Sequence, residues 1–557
     1  MPPASNLPSR LQAFLEVALI FVVFYVQGAS PVPDVNEPHY LGKAIHYWNN
    51  SWGQGDFFLE SADTHKVFYF TFGWLSRYLS PGMLALTGRL LTWSLLAWAW
   101  QRLSVAIVPR RWCSVLTATM FVCLMERCHM AGEWVIGGVE AKGFAYVFVF
   151  FGLAALVRNH WNRALLLFGA AAAFHALVGG WAAVAAGGAW LWLRFPTRGA
   201  KTSGDPEPVF APRLLSLWPG IVFGLLLALP GLLPSLLLNC GVDSTLVQRS
   251  HEIYVFERLP HHLTLGGMRL DFILRLALLA MFWLLLGQWE RRTEQSAASQ
   301  DDPPENGTLP DTKLAIRHLR AFITGAIAIS LAGAMLNLLV FIKPGLAADV
   351  LRYYWFRLTD VAIPMGIALE GVALIVATLQ SPSKAVDRSR KYVARIGLGL
   401  ALIVAAWHFG DHAVERLQSP PPRADRLADH AAWREACAWV SHPEHVPLGA
   451  RFLTPRLAQT FKWYTGHGEV VNWKDVPQDA PAILEWRQRI EDLYRTGGTT
   501  PATRWYGTLA DLGAPKLLRL AEKYRASYMI CEATEVKLDL PEVYRNRSYV
   551  VYRLAKP

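Results

Sequence analysis

Asp34, Glu37, His39, Asp56, Asp63, His65 and Lys66 share one stretch, PVPDVNEPHYLGKAIHYWNNSWGQGDFFLESADTHKVFYF, between the first and second long apolar runs of the chain. That position sets them beside a membrane surface. A carboxylate pair held at the bilayer boundary is what a transferase needs to work on a lipid-carried substrate. Asp34 and Glu37 stand within a few residues of the end of the apolar run, and Pro31, Pro33 and Pro38 stiffen the chain around them. Leu41, Ile45 and Trp48 recur at helical spacing, which predicts a short amphipathic helix over 38–50 lying on the membrane. An ordinary reading stands beside the catalytic one: Asp34 and Glu37 serve equally as acidic caps of that helix.

The elements that must position these groups are mostly apolar. Of 557 residues 53% are hydrophobic and 23 are Trp, with a mean hydropathy of +0.23, which describes a multi-span membrane protein carrying some soluble mass. The net charge of +11 does not point to nucleic acid, because the Lys and Arg lie in short loops between apolar runs. The six Cys show no CxxC spacing; Cys437 and Cys531 read as unrelated thiols.

About eleven runs are long enough to cross a bilayer, near 11–29, 82–107, 111–129, 143–158, 162–177, 178–194, 214–238, 269–288, 318–342, 355–379 and 396–410. An inward N-terminus gathers Arg10, Arg102, Arg110, Arg111, Arg158, Arg163, Arg194, Arg198, Lys201, Arg213, Lys384 and Arg395 on the inner side. An odd count then places the C-terminus outside. The chain divides into a transmembrane part, 1–410, a Pro-rich linker, 411–423, and a periplasmic α/β domain, 424–557. Residues 197–208 and 294–311 read as solvated linkers. In the last domain, FKWY and VVNW offer sugar-stacking surfaces or ordinary core.

Under this topology unusual polar residues collect at the outward ends. Glu133, Glu140 and Lys142 lie among glycines in one connection, His175 in the next, Arg258, His261 and His262 in a third, and Arg352, Arg357 and Asp360 in a fourth. Charge retained near hydrocarbon faces a wet cavity or a partner. Individually each has a plainer role. His175 suits a hydrogen-bonded core histidine, His261–His262 lacks the i, i+4 spacing of a helical metal site, and Arg357 with Asp360 suffices for mutual neutralisation. Arg352 among Tyr353, Tyr354 and Trp355 fits interfacial snorkelling.

The order Asp34…Glu37-Pro38-His39-Tyr40, the amphipathic helix, Gly55-Asp56-Phe57 and then Lys66 before aromatics resembles the GT-C membrane glycosyltransferases, nearest the lipid A aminoarabinose transferases and protein O-mannosyltransferases. The resemblance is specific over 31–70 and architectural elsewhere. It departs where Val35-Asn36 separates the two acids and where Val67-Phe68 follows Lys66. It implies an α-helical polytopic fold with a periplasmic α/β domain, in a bacterial inner membrane. The implied reaction moves a sugar, with inversion, from a polyprenyl-phosphate-linked donor to a glycan, lipid or protein acceptor. Asp34 is then the base with Glu37 as partner, and Lys66, Arg352 and Arg357 meet the carrier phosphate. His39, Tyr40, Asp56, Glu140, Lys142, His175, His261 and His262 line the donor and acceptor pocket. A divalent cation, Mg²⁺ or Mn²⁺, bridging Asp34 and phosphate is compatible with the loop, but the sequence supplies no ligand set for one. Two other classes remain: a transporter or flippase, which calls for inverted repeats not seen in the sequence, and a catalytically silent envelope-assembly protein.

Overall fold

A computed structural model describes residues 9–194, 211–298, 310–380, 388–498, 504–535 and 537–554. Arg198, Lys201, Lys384, the linker 197–208 and most of 294–311 lie outside the described residues. Helices stand over all eleven apolar runs. They are α1 (Arg10–Gly28), α3 (Pro81–Ile107), α4 (Cys113–Arg127), α5 (Ala141–Leu156), α6 (Trp161–Phe174), α7 (Ala176–Arg194), α8 (Trp218–Leu237), α9 (Leu270–Ala298), α10 (Pro310–Asn337), α11 (Arg357–Gln380) and α12 (Arg388–Leu417), with α2 (Glu37–Trp48) in the first connection.

Among the described residues, seven segments are long and apolar enough to cross a membrane; α5 is apolar but shorter. Of the other four helices, α4, α5 and α6 have only 15, 16 and 14 residues, and α3 is long but polar. That helix buries Arg89, Thr92, Gln101 and Ser104 along its inner face, which dilutes its apolar character while serving the interior. Helix packing relies on small residues, as bilayer-type bundles do. Gly169 of α6 meets the backbone of Gly224 in α8 so closely that a Cβ would run into its carbonyl.

The C-terminal domain is a three-layer sandwich. Strands β1 (Arg451–Leu453), β2 (Gly468–Glu469), β3 (Tyr528–Glu532), β4 (Glu542–Arg545) and β5 (Tyr549–Arg553) form one sheet in the order β2-β1-β3-β5-β4. The β2-β1-β3 part is parallel and the β3-β5-β4 part antiparallel. Alternation along β3 divides the core. Tyr528 and Ile530 pack with Trp433 of α13 (His430–Val440), whereas Met529 and Cys531 pack with Trp486 of α14 (Ala480–Tyr494) and Leu517 of α15 (Ala514–Tyr524). Cys437 and Cys531 are free and sit in these opposite layers.

Two expectations change here. Helix α2 forms where expected, yet it does not present one face to a surface. It buries Leu41, Gly42, Ala44 and Ile45 in a cluster with Phe68 and Phe72 of the same connection, Leu84 of α3 and Trp463 of the domain. FKWY is a helical turn, Phe461–Thr465, and its Phe461 and Trp463 are core, as are Val470 and Val471. The other aromatics of the two runs, Tyr464 and Trp473, stay partly exposed, Trp473 between Arg258, Arg456 and Trp505.

Candidate active site

The first connection is pinned by a buried clamp. Glu37 accepts two parallel bonds from Arg89 of α3, at 2.6 and 2.7 Å, the bidentate geometry that best repays burying a charge pair. Its oxygens also accept the Val139 and Asp34 amides, at 2.9 and 2.7 Å. Arg89 spends its remaining reach on the Ser30 carbonyl. Asp34, 6% exposed, accepts from the Val35 amide at 2.7 Å and from Gly138 at 3.0 Å. Only glycine fits at 138, since a Cβ would lie 2.7 Å from that of Asp34. Thus Asp34 and Glu37, the residues expected as catalytic base and partner, also fix the loop, Asp34 through one amide on each oxygen and Glu37 through the guanidinium and two amides.

What the loop turns inward is Asn36. Its side chain donates to Glu140 at 3.2 Å and accepts from Lys474 of the C-terminal domain at 2.7 Å. From Glu140 an ion-pair chain runs through the interior. Lys142 lies 3.1 Å from Glu140 and 3.5 Å from Glu133, and Arg357 lies 3.2 Å from Glu133. Arg357 also stacks on Tyr354 at 3.7 Å, whose hydroxyl meets that of Tyr254 at 2.8 Å. The expected Arg357–Asp360 neutralisation does not occur. Asp360 instead accepts from the Met130, Ala131 and Glu133 amides.

This chamber has unspent capacity. Both oxygens of Glu133, Oε1 of Glu140 and Nε of Arg357 are buried and held mainly by ion pairs of 3.1 to 3.5 Å and not by well-aligned hydrogen bonds. Buried polar atoms are nearly always bonded, so such a concentration marks a place suited to a polar ligand. Burial lifts the Glu140 carboxyl above its ordinary range, against the pull of Lys142 and with the push of Glu133. Lys474 is lowered to about 8, by burial and then by Arg258. Burial also holds His65 down to about 3 and, with Arg357, His262 to about 2, so both rings are neutral polar groups here. Tyr40 closes the wall, edge-on to His39 and His65, and the His175 ring lies 5.4 Å from His65.

Beside this ion-pair chain lies a small pocket lined by Leu177, Val178, Trp181 and Leu358 together with Tyr146, His175, Tyr354 and Arg357. Trp181 packs on Trp355 with ring centroids 4.7 Å apart.

The remaining expected residues serve other contacts. Asp56 caps Phe57–Glu60 through the Leu59 amide, accepts the Glu469 amide at 3.0 Å and lies 3.3 Å from Lys462. His39 lies 3.0 Å from Asp475. Both therefore belong to a second buried cluster, where Lys462 also sits 3.0 Å from Glu469 and 2.7 Å from Asp475. Lys66 is exposed at the start of its helical turn. Arg352 stacks on Tyr353 and donates to that hydroxyl at 2.6 Å. His262 donates through Nδ1 to the Ala131 carbonyl at 2.6 Å, and the exposed His261 ring leans on it. Around Asp34 the described residues do not include a three-ligand group of the kind a divalent cation needs. Sequence reasoning missed Asn36, Tyr254 and Lys474. Only the position of Asn36 between two acids singled it out.

A family model described as a domain of unknown function (DUF6798) matches residues 431–493, which run from α13 through Lys462, Glu469 and Asp475 to α14. No curated protein matches the chain.

Proposed function

We propose that this chain is a GT-C-like membrane glycosyltransferase that moves a sugar from a polyprenyl-phosphate carrier to an acceptor held under the C-terminal domain. One observation carries the reading: Arg357, at the edge of a small apolar-sided pocket, is joined through Glu133 and Lys142 to Glu140, a buried carboxyl of raised pKa. The isoprenoid chain stays in the surrounding lipid outside Leu177 and Trp181, and its phosphate meets the Arg357–Lys142 cations through charge-assisted bonds. The acceptor enters beside Tyr40, Asn36 and Lys474. Glu140 takes the acceptor hydroxyl's proton as that oxygen bonds to the anomeric carbon. The carbon–oxygen bond to phosphate breaks on the opposite face, and the bond's electron pair leaves with the phosphate, inverting the sugar. The base role moves from Asp34 to Glu140 because Asp34 lies in the clamp.

The setting assigned to this reaction is a bacterial inner membrane, N-terminus inside and domain outside. Alkaline phosphatase fused after Pro557 should be active and a cytoplasmic fluorescent reporter dark. The reverse pattern would put the domain on the inner face and end the periplasmic assignment.

Arg357→Ala, assayed in nanodiscs, should weaken polyprenyl phosphate binding roughly 10- to 150-fold, the loss of one desolvated charge-assisted contact. The exposed Lys66→Ala should leave it unchanged. Unaltered binding in Arg357→Ala would remove the phosphate site. A protein that binds the lipid-linked sugar but yields no glycosylated product from any extract fraction would favour a flippase.

A further inference from the structure

Away from the chamber, the last long helix meets its neighbours through polar side chains. The buried residues of α12 are Ala394, Ala405, His408 and His412, in a helix that otherwise exposes its apolar surface. His408 and His412 are four positions apart and share a face, with ring centroids 4.7 Å apart. Both Nε2 atoms approach one carboxylate oxygen: Glu126 Oε2 of α4 lies 2.9 Å from His412 and 3.6 Å from His408. Gln27, near the end of α1, completes the group. Its Oε1 is 2.7 Å from His408 Nε2, and its Nε2 is 2.8 Å from Glu126 Oε2.

We propose that Glu126, His408 and His412 form a binding site for a divalent transition-metal ion of the zinc class, with the Gln27 carbonyl oxygen beside the fourth position, clipping α12 to α1 and α4. The three ligand atoms lie within 4.8 Å of one another. Tetrahedral zinc, with bonds of about 2.0–2.2 Å, holds its ligand atoms roughly 3.3 Å apart, so the two Glu126 contacts of 2.9 and 3.6 Å are near that spacing and the widest separation must close by up to about 1.5 Å, shared between side chains. Two imidazoles and one carboxylate select zinc-like ions over Mg²⁺ or Ca²⁺, which prefer all-oxygen shells. Without an ion, His412 Nε2–H donates to Glu126 at 2.9 Å; a metal at Nε2 would displace that proton to Nδ1, where the Glu415 carboxylate lies 3.8 Å away. Arg127, next to Glu126 in sequence, is drawn aside to Asp411 at 3.8 Å and to the Trp407 ring at 3.9 Å.

The competing account is a hydrogen-bonded relay that needs no ion. Full-length protein in detergent, stripped with a chelator and titrated with Zn²⁺ alone, separates the two. One equivalent should bind, and Co²⁺ in its place should give the intense visible bands of a tetrahedral nitrogen–oxygen site. Glu126→Gln keeps an acceptor for His412 but loses the anionic ligand. It should weaken binding by more than the roughly 10- to 100-fold that loss of an outer hydrogen-bonding partner costs. Asp411→Asn should bind normally. Zn²⁺ should raise the thermal midpoint of the parent protein and not that of Glu126→Gln or His412→Gln. Absence of stoichiometric Zn²⁺ in the parent, or equal uptake by these two variants, would overturn the site and leave the relay.

Discussion

Glu140→Gln should lower turnover by about 10²- to 10⁴-fold, the usual contribution of a positioned general base, while polyprenyl phosphate binding survives. Glutamine keeps the volume and a partner for Asn36, and Lys142 keeps its second carboxylate, Glu133. Only proton acceptance is lost. The parent enzyme should also show an acid limb in kcat/KM at a pH above the ordinary carboxyl value of 4.5, because burial raises Glu140 and the base must be ionised. The linkage sign runs opposite to activity. A carboxyl whose folded pKa is raised favours folding below its unfolded value, and that contribution fades as pH rises through the folded one. Asp34→Asn should cost less, since amides already occupy the Asp34 oxygens. Full turnover in Glu140→Gln with a dead Asp34→Asn would return the base role to Asp34.

Lys462→Met should destabilise the C-terminal domain by about 3–5 kcal/mol, the range for breaking a buried ion pair by removing one partner. Lys462 is fully buried and is the cation shared by Asp56, Glu469 and Asp475. Burial opposes its charge, but the three carboxylates together raise its pKa. Asp475 is correspondingly held below its ordinary range, although burial alone would raise it. Glu469 is lifted to about 7 by burial, against the pull of Lys462. In the parent, Asp475 therefore contributes stability above its unfolded pKa of 3.8 that is lost as pH falls through its folded value. Without the lysine the carboxylates titrate upward, and the variant should recover part of its stability on acidification. Denaturant unfolding followed by Trp fluorescence at two pH values reads both effects. A loss under about 1 kcal/mol would mean that these carboxylates are neutral without their lysine.

The helices were legible because a membrane span demands an unbroken apolar run, and the domain because strands alternate and helices repeat at 3.6. The site was legible only as a set of connections. Nothing near Asp34 or Glu37 reveals that Arg89 lies 52 residues on and Gly138 104 residues on from their partners in the clamp. Those distant donors decide which loop side chain turns inward, and the answer is Asn36. Asp56 and His39 looked like pocket residues for the same reason, since Lys462 and Asp475 are invisible from the loop. The His408–His412 spacing can be read directly, whereas Glu126 stands 286 residues from His412.

The bond between the first loop and the C-terminal domain also sets a timetable. Asp56 and Glu469 are separated by 413 residues, and His39 and Asp475 by 436. At a synthesis rate of about 5–20 residues per second, the ribosome needs roughly 20–80 s to supply the partners. Until then α2 lacks Trp463 over Leu41 and Ile45, and Asp56 lacks its lysine. A nascent or truncated chain thus displays an uncovered apolar helix and a bare acid at one spot.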